Sequence, residues 1–407
     1  MAPGKKFRIA GTGCTLVDYL YKPVHFNDKE FKKYLSKKPG DGGLSPGKLV
    51  FREEFEKFSG EPYSRFRNKI TGGVPPVAVN IGGPSIVSLI HAAQMLHNLP
   101  ADIIFYACRG NDEGGEFIEN KLSETPLKKG KYKIGKQNTP YTDVLSDPDF
   151  ENGHGERIFI NNIGAAWELM PSDLDSKFFE SDMVVFGGTA LVPHLHNALG
   201  ELLLRAKANH AITVVNTVYD FLNEKKDAVR PWLLGNSTDT FKSIDLLITD
   251  MEEALRISGC PRVGPALDFF NSEGVGAAIV THGSMPLHYF SNSQLFGHIA
   301  STVLPVSEKI ITELAQNNNY SGDTTGCGDN FAGGVIASIA NQLIAKPAKK
   351  PDLKLAIALG VASGGFACFY NGGTYYEESQ GQKKFLIDAY YKDYLKQVDL
   401  LKSDVNG

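Results

Sequence analysis

The stretch DTTGCGDNFAGG, Asp323 to Gly334, decides how the rest of this chain is read. It stands between the polar run NNNYSG and the small-residue apolar run VIASIANQLIA. Glycines at 326 and 328 let the backbone turn where a Cβ would clash. Phe331, Val335, Ile336, Ile339 and Leu343 then fall at helical spacing. The stretch therefore predicts a glycine turn running into a helix N-terminus. The first amides of a helix have no intrahelical acceptor, and the positive end of the helix dipole lies behind them. Such a terminus suits an anion, phosphate above all. Asp329 could simply cap that helix. Beside a phosphate cradle, however, a carboxylate can accept the proton of an attacking hydroxyl.

Composition narrows the classes. The chain has 407 residues with a formal net charge of −4, which argues against a generic nucleic-acid or membrane-surface binder. Five cysteines, at 14, 108, 260, 327 and 368, are scattered without metal-ligand spacing and read as reduced thiols of a cytoplasmic protein. The N-terminus runs into a strand without a signal-peptide core. The apolar runs near 330–345 and 355–370 are Gly/Ala/Ser-rich and shorter than the ~20 residues that span a bilayer.

KFRIA, Lys6 to Ala10, predicts a first strand, followed by a glycine-rich turn GTGC and then TLVDYL. Gly11 and Gly13 suggest a dinucleotide fingerprint, but Leu16 occupies the third glycine position. Residues 21–70 form a charged, aromatic-bearing insertion. There Asn27 and Glu30 predict a capping box for a helix KEFKKYLSKK, and REEFEKF a second helix. Gly82-Gly83-Pro84 opens a helix with Ile86, Leu89, Ile90, Ala93 and Leu96 on its buried stripe. Between 131 and 160 the segments KYKIG, YTDVLS and RIFI read as strands of a small lid. Beyond them, strands DMVVFGG, AITVVN, SIDLLIT and AAIVTHGS alternate with amphipathic helices. That alternation means right-handed βαβ units and a mostly parallel sheet covered on both faces. Ligands of such sheets sit beyond the strand ends.

With Cys327 in place of alanine, DTTGCGDNFAGG resembles the second signature of the PfkB (ribokinase) family of carbohydrate and nucleoside kinases, Asp-Thr-x-Gly-Ala-Gly-Asp-x-Phe-x-x-Gly. Gly82-Gly83 resembles the family's Gly-Gly-x-x-x-Asn, with Val87 at the asparagine. Gly110, Asp112 and Gly115 resemble its Gly-x-Asp-x-x-Gly. Asp250 to Glu253 resembles its Asn-x-x-Glu, with Asp250 for asparagine, and Asn216 stands where the family often has aspartate.

The resemblance implies one ribokinase-like α/β domain over residues 1–407: a three-layer α/β/α fold with a mostly parallel central sheet. A small β lid would come from segments near 19–80 and 128–163. It implies ATP and Mg²⁺ as cofactors. Asp329 would be the general base, with the amides of Gly326, Cys327 and Gly328 as the anion hole. Thr281 and Gly283, with Asp323, Thr324, Gly326 and Gly328, would bind the nucleotide. Asp18, Gly82, Gly83, Arg157 and Asn161 would face the acceptor beside Asp329. Asp250 and Glu253 would organise the metal. The expected activity is transfer of the γ-phosphoryl group of ATP to a small sugar. A nucleoside is the alternative acceptor, and a catalytically weak ligand-binding scaffold is the alternative of another class. The expected partners are that small molecule and a second copy meeting through the lid, with neither nucleic acid nor membrane.

Overall fold

The computed structural model describes residues 6–153, 155–316 and 324–400. Its strands, in chain order, are β1 Phe7–Gly13, β2 Leu16–Tyr21, β3 Leu49–Phe51, β4 Ala78–Gly82, β5 Ala101–Arg109, β6 Lys128–Ile134 and β7 Tyr141–Asp147. There follow β8 Glu156–Asn162, β9 Met183–Gly187, β10 Ile212–Asn216, β11 Leu246–Asp250, β12 Ala277–His282, β13 Met285–Ser293 and β14 Gly297–Leu304.

Among the described residues they make two sheets. The larger has nine strands in the order β14-β13-β12-β11-β10-β9-β1-β5-β6. From β6 to β12 every neighbouring pair is parallel, and β13 and β14 close that edge as an antiparallel hairpin. Strand alternation sends side chains to two separate cores. Val184, Phe186, Val215, Leu247 and Val280 pack on one face with the helices Leu199–Ala208, Met251–Ser258 and Val263–Ser272. Ile9, Val185, Val214, Ile248 and Ile279 pack on the other with Pro84–Met95, Cys327–Ala345, Leu353–Phe366 and Gln382–Gln397. These are the three layers that the βα alternation implies.

The smaller sheet runs β3-β8-β7-β2-β4. The chain passes from the large sheet into it directly, between β1 and β2. The insertion before β4 covers this sheet with its own aromatic cluster. Phe55 and Phe66 meet at a tilt with a centroid distance of 4.5 Å, and Tyr34 meets Phe66 edge-on at 4.8 Å. No described helix is long and apolar enough to cross a membrane.

Three local expectations are corrected. KYKIG belongs to β6 and pairs with β5 at the edge of the large sheet, so it is not a lid strand. Gly11 to Gly13 continue β1 and do not turn, because their partners on β5 and β9 carry the ladder through them. The helix expected at 29–38 is a single 3-10 turn, Phe31–Tyr34, and Glu30 makes no side-chain cap. There the backbone leaves the helical path to bridge Leu35 with Leu44.

One buried acid ties the insertion to the lid sheet. Asp143 of β7 is fully buried and accepts the Tyr63 hydroxyl at 2.6 Å, with the Arg67 guanidinium 3.7 Å away. Removing a donor from a buried carboxylate leaves its desolvation uncompensated. Tyr63→Phe should therefore destabilise the fold by roughly 1–3 kcal/mol in urea denaturation.

Candidate active site

The C-terminal ends of β10, β11 and β12 stand side by side, with Asp250 opposite Thr281 in the ladder. Beyond them lies a cavity of about 330 Å³ whose opposite wall is the small sheet. The crevice is where a parallel sheet places its ligands. The cavity gathers Asp18, Gly83, Arg157, Asn161, Asp250, Glu253, Thr281, Gly326, Gly328 and Asp329 from positions as far apart as 18 and 329.

The cradle forms as its residues dictate. Gly326 takes a left-handed φ of 75° as the N-cap of the helix Cys327–Ala345. A side chain there would run into the backbone of Gly373, so the position requires glycine twice over. The turn leaves the first helical amides without intrahelical acceptors. One of them is already engaged, since the Cys327 amide donates to Thr324 O at 3.3 Å. The Cys327 side chain does not line the cavity; its sulfur lies 3.4 Å from that of Cys368.

Asp329 sits half-buried on the first turn of that helix. Burial pushes its carboxyl up to about 7. No positive group offsets that burial, so the acid is held near the pH at which it can both take and keep a proton.

On the opposite wall, Asp18 lies in β2 between Asn80 of β4 and Thr142 of β7. Gly82 is missing from the cavity lining, but a Cβ there would strike the Asp18 carboxylate. Its service is to make room for that acid. Asn161 is fully buried, donates to Thr142 Oγ1 at 2.9 Å, and among the described residues has no partner for its Oδ1. Arg157 reaches down from β8 and donates to Thr325 Oγ1 at 3.0 Å, linking the small sheet to the cradle.

Asp250 and Glu253 form a capping box at the helix Met251–Ser258, and the Glu253 amide donates to Asp250 Oδ1 at 2.8 Å. Glu253 also accepts the Thr217 hydroxyl, and Thr249 Oγ1 at 3.4 Å. Burial, and then the charge of Asp250, hold the Glu253 carboxyl well above the ordinary range. Two crowded acids that resist joint ionisation are a fitting place for a divalent cation, and all the donors are oxygens.

Among the nucleotide-side residues, Thr281 lines the cavity, whereas Gly283 and Thr324 do not. Gly283 makes the left-handed turn from β12 into β13. Asp323 lies outside the described residues. Thr217, Thr249, Thr325, Leu49, Phe159 and Tyr219 were not expected at the cavity, yet they line it. Thr217 had a signal, being the first residue after the strand that ends at Asn216.

A family model described as pfkB family carbohydrate kinase matches residues 74–379. Solved structures share the fold. Adenosine kinase from Schistosoma mansoni in complex with 2-fluoroadenosine is 16% identical, with a TM-score of 0.67 over 92% of this chain and 98% of that one. A probable sugar kinase from Rhizobium etli CFN 42 is 16% identical, with a TM-score of 0.67 over 98% and 100%. Ribokinase from Thermotoga maritima is 16% identical, with a TM-score of 0.59 over 95% and 99%. The architecture is thus ribokinase-like, with the small sheet in the place of the lid.

The raised Asp329 carboxyl predicts a pH signature in the unliganded protein. The folded state binds this proton more tightly than the unfolded chain does. Its stabilising contribution is complete below the ordinary carboxylate range and is lost as pH rises through about 7. Asp329→Asn should remove that loss. In urea titrations the variant should outlast the wild type at about pH 8 and match it at about pH 4.

Proposed function

This chain belongs to the pfkB family of carbohydrate kinases, and from that membership we propose that it transfers the γ-phosphoryl group of ATP to a hydroxyl of a small sugar. The acceptor class rests on one observation, the excess of hydrogen-bond acceptors on the cavity wall. Among the described residues Asn161 Oδ1 and Asn216 Oδ1 are buried without partners, and the Asp329 carboxylate lines the same space. A buried acceptor left unsatisfied costs stability, so the wall calls for a ligand rich in donors. Hydroxyls of a polyol are such donors.

In this reading Asp18 and Asn161 orient the acceptor, with Gly82 and Gly83 shaping the floor beneath it. Asp329 takes the proton from the attacking hydroxyl. The amides of Gly326 and Gly328 hold the transferred phosphoryl group, with that of Cys327 joining them on release from Thr324 O. Arg157, delivered by the lid to Thr325, adds positive charge there and helps close the cavity to water. Thr281 and the Gly283 turn wall the nucleotide side. Asp250 and Glu253 would hold Mg²⁺, directly or through water. Mg²⁺, when bound, neutralises charge on the donor phosphates. Phosphoryl transfer asks little covalent chemistry of a protein, so positioning and charge carry the rate.

A nucleoside is the second reading. Leu49, Phe159 and Tyr219 offer the cavity an apolar and aromatic surface on which a base could lie.

The test is ATP-dependent phosphate transfer over pentoses, hexoses, sugar phosphates and nucleosides. Turnover of a sugar supports the first reading, preference for a nucleoside selects the second, and no acceptor at all sinks the kinase. With the acceptor in hand, Asp329→Asn should lower kcat by ~10²–10⁴-fold, and a wild-type rate would remove Asp329 as the base. Because the ionised form is the base, wild-type kcat should climb with pH through about 7.

A further inference from the structure

We propose that Lys383 is a positioning residue for phosphoryl transfer, holding Asn330 so that Asn330 fixes the anion cradle. The inference rests on the kinase reading of the same site. Lys383 lies in the first turn of the C-terminal helix Gln382–Gln397, remote in sequence from the cradle. Its Nζ donates to Asn330 Oδ1 at 2.7 Å. Asn330 follows Asp329 and is fully buried. Its Nδ2 donates to Gly326 O at 2.8 Å and to Gly373 O at 2.8 Å. One amide thus clamps together the two backbones that make the cradle, and Lys383 fixes which way that amide faces.

The position is a costly one for a lysine. Its side chain is 1% exposed, and among the described residues no carboxylate pairs with its Nζ. The Tyr370 and Tyr375 rings lie 5.5 and 5.8 Å from the ammonium, and the Tyr370 hydroxyl also reaches Asn330 Oδ1 at 3.2 Å. Glu377 accepts the Lys383 backbone amide at 2.8 Å. From the facing helix Pro84–Met95 comes His91, buried with neither ring nitrogen partnered. Burial brings the ammonium down to about 7. A methionine would bury the same stem without that desolvation. A buried cation whose hydrogen bond runs to the residue beside the catalytic carboxylate is explained by function better than by stability.

The experiment compares Lys383→Met with the wild type in urea denaturation, in steady-state kinetics, and in Mg²⁺-dependent binding of ADP and of a non-hydrolysable ATP analogue. The variant should be as stable as the wild type or more so. Its kcat should fall ~10–100-fold while acceptor KM stays within about twofold, because a displaced cradle harms the transferred group and not the acceptor. Its preference for the ATP analogue over ADP should fall about tenfold. A folded variant with wild-type kcat and wild-type preference overturns the proposal. Should Lys383→Met fail to fold, Asn330→Asp decides. It keeps an acceptor for Lys383 but removes the donors to Gly326 and Gly373, and undiminished triphosphate preference there is equally fatal. The binding arm needs no acceptor. If the wild type phosphorylates nothing yet favours the ATP analogue, and Lys383→Met loses that preference, the clamp stands while the kinase reading falls.

Discussion

The site depends on a close approach between two backbones. Gly326 lies directly on the backbone of Gly373, and only because Gly326 has no side chain can the helix at Cys327 begin where it does. That starting point aims the helix N-terminus at the ends of β10 to β12 and leaves Asp329 at the cavity wall. The Asn330 side chain then locks the contact by bonding both glycine carbonyls. A shift of the helix by one residue that carried Asp329 into the buried place of Asn330 would leave Gly328, with no side chain, where the acid now stands. The placing of the Gly326 turn and of Asp329 is therefore set by a single geometric constraint.

The same constraint explains the uneven electrostatics. Asp18, Asp250, Glu252, Glu253 and Asp329 bring carboxylates to one cavity, while Arg157 is the cationic side chain in its lining. Lys48 stands just outside and pairs with Glu252 at 2.7 Å. A polyphosphate entering such a space meets repulsion unless a cation accompanies it. Burial relieves part of that crowding by holding Glu253 and Asp329 towards their protonated, neutral forms. The unliganded cavity is thus poorly satisfied on its own, which is the expected state of a site whose partners supply the missing donors and positive charge.

What could be read from the sequence was local. DTTGCGDNFAGG announces its turn, its helix and its acid within twelve consecutive letters, and the βα alternation announces the layers. Asp250 and Glu253 share one helical turn, so their pairing is visible as a capping pattern. The rest is not local. Nothing in the letters around Tyr219 or Leu49 marks them; Leu49 comes to the cavity because β3 pairs with β8, and Tyr219 because it follows the end of β10. Lys383 reads as one of several polar letters at a helix start until the fold buries it. β6 misleads because a short alternating strand looks alike at the edge of either sheet, and only its partner β5 decides.

The insertion carries a further consequence for acceptor choice. Its aromatic cluster is continuous with the core on one face of the large sheet, and Asp143 binds it to β7. β7 also carries Thr142, whose hydroxyl holds the Asn161 amide. The chain from Tyr63 through Asp143 to Thr142 and Asn161 thus joins insertion packing to the acceptor wall. β3 arrives from the same insertion and places Leu49 in the cavity. The part of the chain that departs most from a plain layered fold thus builds one wall of the cavity. The other wall, with the Gly326 turn and Asp329, is held by the large sheet and its helices. Changes of packing in the insertion therefore reach both walls, because Phe55 and Phe66 share one buried core with Val184 and Phe186 of the large sheet, and Arg157 meets Thr325 across the cavity.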